Sequence, residues 1–251
     1  VGLAWCAAFA LTFRNRPAEH PRVNEAERML IGGDDATAAA HDGVPWRELA
    51  RNGSLWALCL MYVGITYGWY FNITYLPGYV DSRFQPPPGD LTTALAKGAP
   101  LWVGAIGCAA GGFCVRWLTR RCGDQGRARR TLGMTALSLC AVCWFAATRA
   151  TTMLGFCSLA AAAALLNDLT MGSAWAACQD VGRRHAAVVA ATMNTAGTVG
   201  AALAGWLTGT IVQRARDAGR GLAAGYDDVF LSYAAIYLLA AVCWRFIDAA
   251  R

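Results

Sequence analysis

Apolar residues in this chain come in long runs, and polar residues crowd into the stretches between them. A helix rising about 1.5 Å per residue needs about twenty apolar residues to cross a hydrocarbon core of about 30 Å. Six runs approach or exceed that length: residues 54–80, 97–118, 132–148, 152–179, 186–213 and 229–246. The pattern predicts six transmembrane helices with short connections, apart from the Pro-rich stretch 81–90 that holds Pro86, Pro87 and Pro88. A seventh run, residues 1–13, reaches only about 20 Å. It has no initiator Met, basic flank or small-residue cleavage site, so it reads as the tail of a transmembrane helix and not as a signal peptide. Residues 14–53, with Pro17, Pro21, the acidic and glycine-rich 32–35 and Trp46, are too polar to cross a membrane and too long for a turn. The expected organisation is a helix tail over 1–13, a loop over 14–53 and an all-α six-helix bundle over 54–251.

Composition agrees. Of 251 residues, 56% are hydrophobic and 15% charged, with a mean hydropathy of +0.34, the balance of a polytopic membrane protein embedded in a lipid bilayer. Basic residues punctuate apolar runs and never form a face interleaved with aromatics, so no nucleic-acid partner is indicated. Nine of the ten cysteines fall inside apolar runs and no disulfide framework follows; Cys140 and Cys143 form a CxxC with no second pair or histidine cluster nearby.

The net charge of +6 has a topological reading. Lys and Arg number sixteen on the side holding the loop 14–53 and the C-terminus, against six on the other. The positive-inside rule therefore places the long loop and the C-terminus in the cytoplasm.

Several motifs resemble one family. Phe13-Arg14-Asn15-Arg16-Pro17-Ala18-Glu19-His20-Pro21-Arg22-Val23-Asn24-Glu25-Ala26-Glu27 is similar to the opening of the central loop in the anion:cation symporter branch of the major facilitator superfamily. Tyr67-Gly68-Trp69-Tyr70-Phe71 with Tyr75-Leu76-Pro77-Gly78-Tyr79 resembles that branch's seventh helix. Ser173-Ala174-Trp175-Ala176 through Asp180, with Met193-Asn194-Thr195-Ala196-Gly197, resembles its tenth and eleventh helices. The resemblance covers essentially the whole chain as the second half of such a transporter. It implies a bundle of two inverted three-helix repeats, and secondary transport of a small organic anion such as a sugar acid, coupled to a cation, usually the proton, in a bacterial inner membrane. An N-terminal half would be the partner, with no cofactor and no enzymatic activity. Two departures stand out: Arg116 occupies the place of an acidic gate residue after Gly111-Gly112, and Gly205 stands in place of a proline in the eleventh helix. Other readings are a uniporter or drug exporter of the same fold, or a non-transporting membrane subunit that packs against a separate partner half.

Asp168 is the acidic residue deep inside a run, where an ionised Asp costs about 2.5 to 3.5 kcal/mol on insertion scales. Asp168, Gly172, Trp175 and Gln179 recur at helical spacing in a segment otherwise rich in Ala and Leu. If that stripe faces a wet cavity, Asp168 is a proton-coupling or substrate-orienting group; if not, it is neutral and bonded to a neighbouring helix. Tyr70 and Asn72, near the middle of the first full run, are expected to line a cavity, while Tyr62 and Tyr79 near its ends suit an interfacial belt. Pro77 removes a backbone donor and lets that helix break at a gate. Through the resemblance, Asn194 is expected to bind the substrate's hydroxyls or carboxylate, with Trp175 and Thr198 beside it, and Arg116 and Gly205 join Pro77 as gating positions. Gly197, Ala201, Gly205 and Gly209 repeat every four residues, as do Gly107 and Gly111, in the manner of close-packing stripes. No HExxH, GxSxG or phosphate loop occurs, and His20, His41 and His185 share no site, so no metal is expected.

Overall fold

Side chains that accept backbone hydrogen bonds set where several of the helices begin. In the computed structural model, which describes residues 2–14, 19–31 and 43–248, every element among the described residues is helical. The order is α1 (Gly2–Thr12), α2 (Glu25–Ile31), α3 (Trp46–Arg51), α4 (Gly53–Thr74), α5 (Leu76–Phe84), α6 (Leu91–Cys122), α7 (Gln125–Ala147), α8 (Met153–Leu169), α9 (Met171–Gly182), α10 (Ala186–Asp217) and α11 (Gly221–Cys243), with short 3-10 turns after α9 and α11. Asn15, Arg16, Pro17, Ala18, residues 32–35 and His41 lie outside the described residues.

Residues 1–45 form one unit and 46–251 another. In the first, α1 is apolar and exposes its described side chains, Phe9 stacks on Phe13 with centroids 4.6 Å apart, and Asn24 caps α2 by accepting from Glu27 N at 2.8 Å. The second unit is the bundle.

Asp90 begins α6, its Oδ2 accepting from Thr93 N at 2.8 Å and from Thr93 Oγ1 at 2.7 Å. These bonds hold the Asp90 carboxyl below the usual carboxylate range. Asp124 caps α7 through Arg127 N, and Thr152 caps α8 through Gly155 N. Gly123, at φ 71°, closes α6 in the left-handed region that a side chain would resist. Consequently α6 and α7 start six and seven residues before the apolar runs begin. Hydropathy locates the part of a helix inside lipid, whereas caps locate its ends in the wet layer. The stretch 81–90 is likewise partly helical, because α5 continues to Phe84 before Gln85 turns left-handed at φ 45°.

Two of the expected spans are each two helices. The run 54–80 breaks at Tyr75, two residues before Pro77, which falls in the first turn of α5. There its missing N–H costs nothing, but its ring would clash with the Ile73 carbonyl if α4 continued straight. The run 152–179 breaks at Thr170, whose Oγ1 donates to Asn167 O at 2.7 Å and whose N–H bonds the same carbonyl at 3.1 Å. A side chain competing for a helix carbonyl loosens the ladder at that turn. Four stretches are long and apolar enough to cross a membrane, Leu91–Cys122, Gln125–Ala147, Met153–Asp217 and Gly221–Phe246, the third of them comprising α8, α9 and α10. Tyrosines, threonines and Asn72 lower the hydropathy of α4, which with α5 completes the sixth crossing.

The packing has an internal exchange symmetry. α6 packs on α8 as α10 packs on α4, α7 contacts α8 as α11 contacts α4, and α7 meets α11. Exchanging α4/α5, α6 and α7 with α8/α9, α10 and α11 preserves these pairings, as two repeats of three helices require. In lipid, helices lack a hydrophobic drive to associate, so the crossings rest on close backbone approach. A Cβ on Gly107 or Gly111 would strike the backbone of Leu165 or Leu169, and one on Gly200 would strike Val63 O. The stripe on α10 is therefore Gly197, Gly200 and Ala204, all buried. The expected stripe through Gly205 and Gly209 is corrected: a Cβ on either meets nothing within 4 Å.

At the end away from the arginine-rich connections, Phe71 contacts Trp144, Phe230 and Tyr233 with ring centroids 5.3 to 5.6 Å apart, and Tyr79 lies 4.6 Å from Phe156. Each such pair contributes about 0.5–1.5 kcal/mol beyond its area. The cluster ties α4, α5, α7, α8 and α11 together. Tyr79 is thus a core residue, 4% exposed, and not part of an interfacial belt.

Candidate functional site

Between the two broken helices lies a cavity of about 440 Å³. α4 contributes Tyr62, Ile65, Thr66, Trp69 and Tyr70, α6 contributes Cys108, the α8/α9 break contributes Asp168 and Met171, and α10 contributes Asn194, Gly197 and Thr198. Asp168 is the charged group among them. It sits two residues before the break, at the carbonyl end of α8, where unpaired carbonyls gather partial negative charge.

A short chain of hydrogen bonds fixes its carboxylate. Tyr237 Oη on α11 donates to Asn167 Oδ1 at 3.1 Å, and Asn167 Nδ2 donates to Asp168 Oδ1 at 2.9 Å. Asn167 is wholly buried, so Tyr237 sets which way its amide points. The other oxygen, Oδ2, lies over Gly104 of α6, where a Cβ would strike it. Asp168 is half-buried and open to the cavity.

The opposite wall is uncharged. Asn194 and Thr198 are exposed on successive turns of α10, and Thr198 Oγ1 donates to Asn194 O at 3.3 Å. The Asn194 side chain makes no hydrogen bond to any described residue, so it does not act as glue between helices. Thr66 does that work instead, its Oγ1 donating to Gly197 O at 2.9 Å. Each such bond contributes about 0.6 kcal/mol in a membrane.

The expected site residues divide as follows. Tyr70, Asp168, Asn194 and Thr198 meet in one cavity. Trp175 is exposed on α9 and stands edge-on to Tyr62, ring centroids 6.3 Å apart. Gly172 and Gln179 are exposed on the same helix. Asn72 does not join the cavity: it is 6% exposed, its Oδ1 has no partner, and its position two residues beyond Tyr70 turns it to another face of α4. Tyr62, expected in an interfacial belt, is buried and lines the cavity. Pro77 starts α5. Gly205 sits in a helix that runs unbroken from Ala186 to Asp217, and its carbonyl accepts from Tyr75 Oη at 2.8 Å, tying the α4/α5 break to α10. Arg116 lies near the far end of α6, its guanidinium 5.9 Å from the Phe113 ring centroid.

Sequence reasoning did not single out Asn167, Trp69 or Cys108. Asn167 was visible as the other polar half of an Asn-Asp pair in an Ala/Leu helix, and Trp69 as one turn from Thr66 and two from Tyr62. Nothing in the sequence marks Cys108, which enters only because Gly104 and Gly107 bring α6 against α8.

The Major Facilitator Superfamily model matches residues 1–205. Among curated relatives, the "Probable L-galactonate transporter" of Escherichia coli (strain K12) is 25% identical over 84% of this chain and 47% of its own length. "Sodium-dependent phosphate transport protein 1, chloroplastic" of Arabidopsis thaliana is 23% identical over 98% of this chain and 46% of its own length. The "Ascorbate transporter, chloroplastic" of the same plant is 23% identical over 98% and 43%. The chain thus spans less than half the length of these relatives, which are named as transporters and not as enzymes. With an all-helical bundle of two broken helices and paired repeats, and a family match over most of its length, the chain belongs to the Major Facilitator Superfamily.

Proposed function

We propose that this chain forms one wall of a secondary transporter for a small organic anion, a sugar-acid-like carboxylate, with uptake driven by a cation, most simply the proton. The observation that carries this reading is the placement of a single carboxylate, Asp168, at a helix break beside an uncharged wall of hydroxyl, amide and aromatic groups. Carbonyl ends of half-helices suit a coupling cation or proton, while Asn194, Thr198 and Tyr70 suit the hydroxyls of a polyol chain. The relatives' names, galactonate, phosphate and ascorbate among them, fit an anionic cargo. The cavity lining carries no Lys or Arg, so the positive group that holds the carboxylate comes from an N-terminal half, and the two halves move about the bound anion. The arginine-rich connections and the C-terminus face the cytoplasm in a bacterial inner membrane.

The test is uptake of labelled galactonate by cells carrying the full-length transporter and its Asn194→Ala variant. Losing one hydrogen bond to the substrate raises KM about five- to tenfold, with little change in the maximal rate. An unchanged KM would remove Asn194 from the site. Uptake that persists after the proton gradient is dissipated would favour the exporter or uniporter reading.

A further inference from the structure

A second cavity, of about 400 Å³, opens at the arginine-rich end of the bundle between α6, α7 and α9. Three arginines line it: Arg116 and Arg120 on α6 and Arg129 on α7. Arg116 and Arg120 are exposed, whereas Arg129 is only 8% exposed. It pairs with Asp180 near the end of α9, which accounts for one positive charge. Among the described residues, neither Arg116 nor Arg120 has a carboxylate within ion-pairing distance. Asp124, beside the cavity, is engaged as the cap of α7 through Arg127 N. Two positive charges are left over, beside the N-terminus of a 23-residue helix whose dipole favours an anion.

The floor adds an independent sign. Ser173 on α9 lines this cavity, is 3% exposed, and its Oγ has no hydrogen-bond partner. A buried hydroxyl left unpaired costs about 1–3 kcal/mol, although a helical serine can bond the carbonyl four residues back. Gly172, where a Cβ would meet nothing within 4 Å, and Ala176 flank it in the lining. Arg116, Arg120, Arg129 and the unpartnered Ser173 hydroxyl make the lining rich in hydrogen-bond donors.

We propose that this cavity binds a phosphate-bearing anion, with Arg116 and Arg120 forking its oxygens, Arg129 held in place by Asp180, and Ser173 donating from the floor. The site is separate from the cavity around Asp168, and binding is read without transport. Phosphate chemistry has two sources here, a soluble phosphate or an anionic lipid headgroup at the membrane surface.

The full-length protein is reconstituted in phosphatidylcholine nanodiscs and titrated with inorganic phosphate by calorimetry; in parallel, lipid retained from nanodiscs containing phosphatidylglycerol is measured by native mass spectrometry. Binding in either arm should weaken about tenfold for each charge-assisted partner lost in Arg116→Gln and Arg120→Gln. Ser173→Ala should weaken it by a smaller factor, and Arg245→Gln, at the end of the last helix, should leave it unchanged. Phosphate binding lost in the double arginine variant identifies a soluble anion site, and phosphatidylglycerol retention lost in that variant identifies a headgroup site. The proposal is overturned if neither binds, or if binding is indifferent to Arg116 and Arg120 while thermal unfolding shows both variants folded.

Discussion

Asp168→Asn should abolish gradient-driven accumulation while leaving the cavity able to bind and exchange its cargo. The substitution keeps the size and both polar atoms of the side chain, so the contact from Asn167 Nδ2 and the space over Gly104 are only slightly perturbed. What it removes is the group that can take up and release a proton at the α8/α9 break. One charge moved across about 100 mV corresponds to about 2.3 kcal/mol, and about 1.4 kcal/mol is tenfold in an equilibrium ratio. On the proposed coupling to one proton, its loss lowers the inside-to-outside ratio of the proposed cargo, tested with labelled galactonate, about fifty-fold at that potential. Counterflow with unlabelled galactonate on both sides needs no net proton movement and should persist in Asp168→Asn. If accumulation in Asp168→Asn equals that of the parent at equal membrane expression, Asp168 is a structural residue and coupling lies elsewhere.

The second large effect is on folding. Gly107→Val should lower unfolding free energy by about 3 kcal/mol or more, measured by denaturant titration of the purified protein in mixed micelles. The new Cβ would meet the Leu165 carbonyl and Cα, backbone atoms that cannot swing aside as a side-chain tip can. Overpacking a close contact typically costs about 1–3 kcal/mol, and an unyielding backbone places this case at the top of that range. Gly112→Val, on the same helix with nothing within 4 Å of its Cβ, should stay within about 0.5 kcal/mol of the parent. Equal stability of the two variants would mean that α6 and α8 do not cross at Gly107.

How far the sequence revealed this molecule differs with the physics at each position. Transmembrane spans were legible because burial in hydrocarbon imposes an unbroken apolar run. The starts of α6 and α7 were not, because Asp90 and Asp124 act through local hydrogen bonds that hydropathy does not register. Pro77 announced the first break to within two residues. The second, at Thr170, was invisible, since one threonine in a span usually bonds backward without interrupting the helix.

The candidate site was half legible for a similar reason. Asp168 was conspicuous as a charge inside lipid, and Asn194 and Thr198 share its cavity. Asn72 read like Tyr70 by depth along the helix, but depth does not give the angle around the axis, and two residues of offset turn it into the core. Glycine spacing misled on α10 in the same way. Gly197, Gly205 and Gly209 make the more regular repeat, whereas the close approach to α4 runs through Gly197 and Gly200, because only the partner helix decides which small residues are crossed.

The central claim, that the cavity between the two broken helices holds the cargo, has a reporter in the native sequence. Cys108 is exposed and lines that cavity together with Asn194, whereas Cys122 lies at the far end of α6. Alkylation of each thiol by a small maleimide, followed by mass spectrometry of the full-length transporter in membranes, should show Cys108 protected several-fold by saturating galactonate and Cys122 unaffected. Equal rates at Cys108 with and without galactonate, in membranes where uptake of galactonate is measured, would contradict the account.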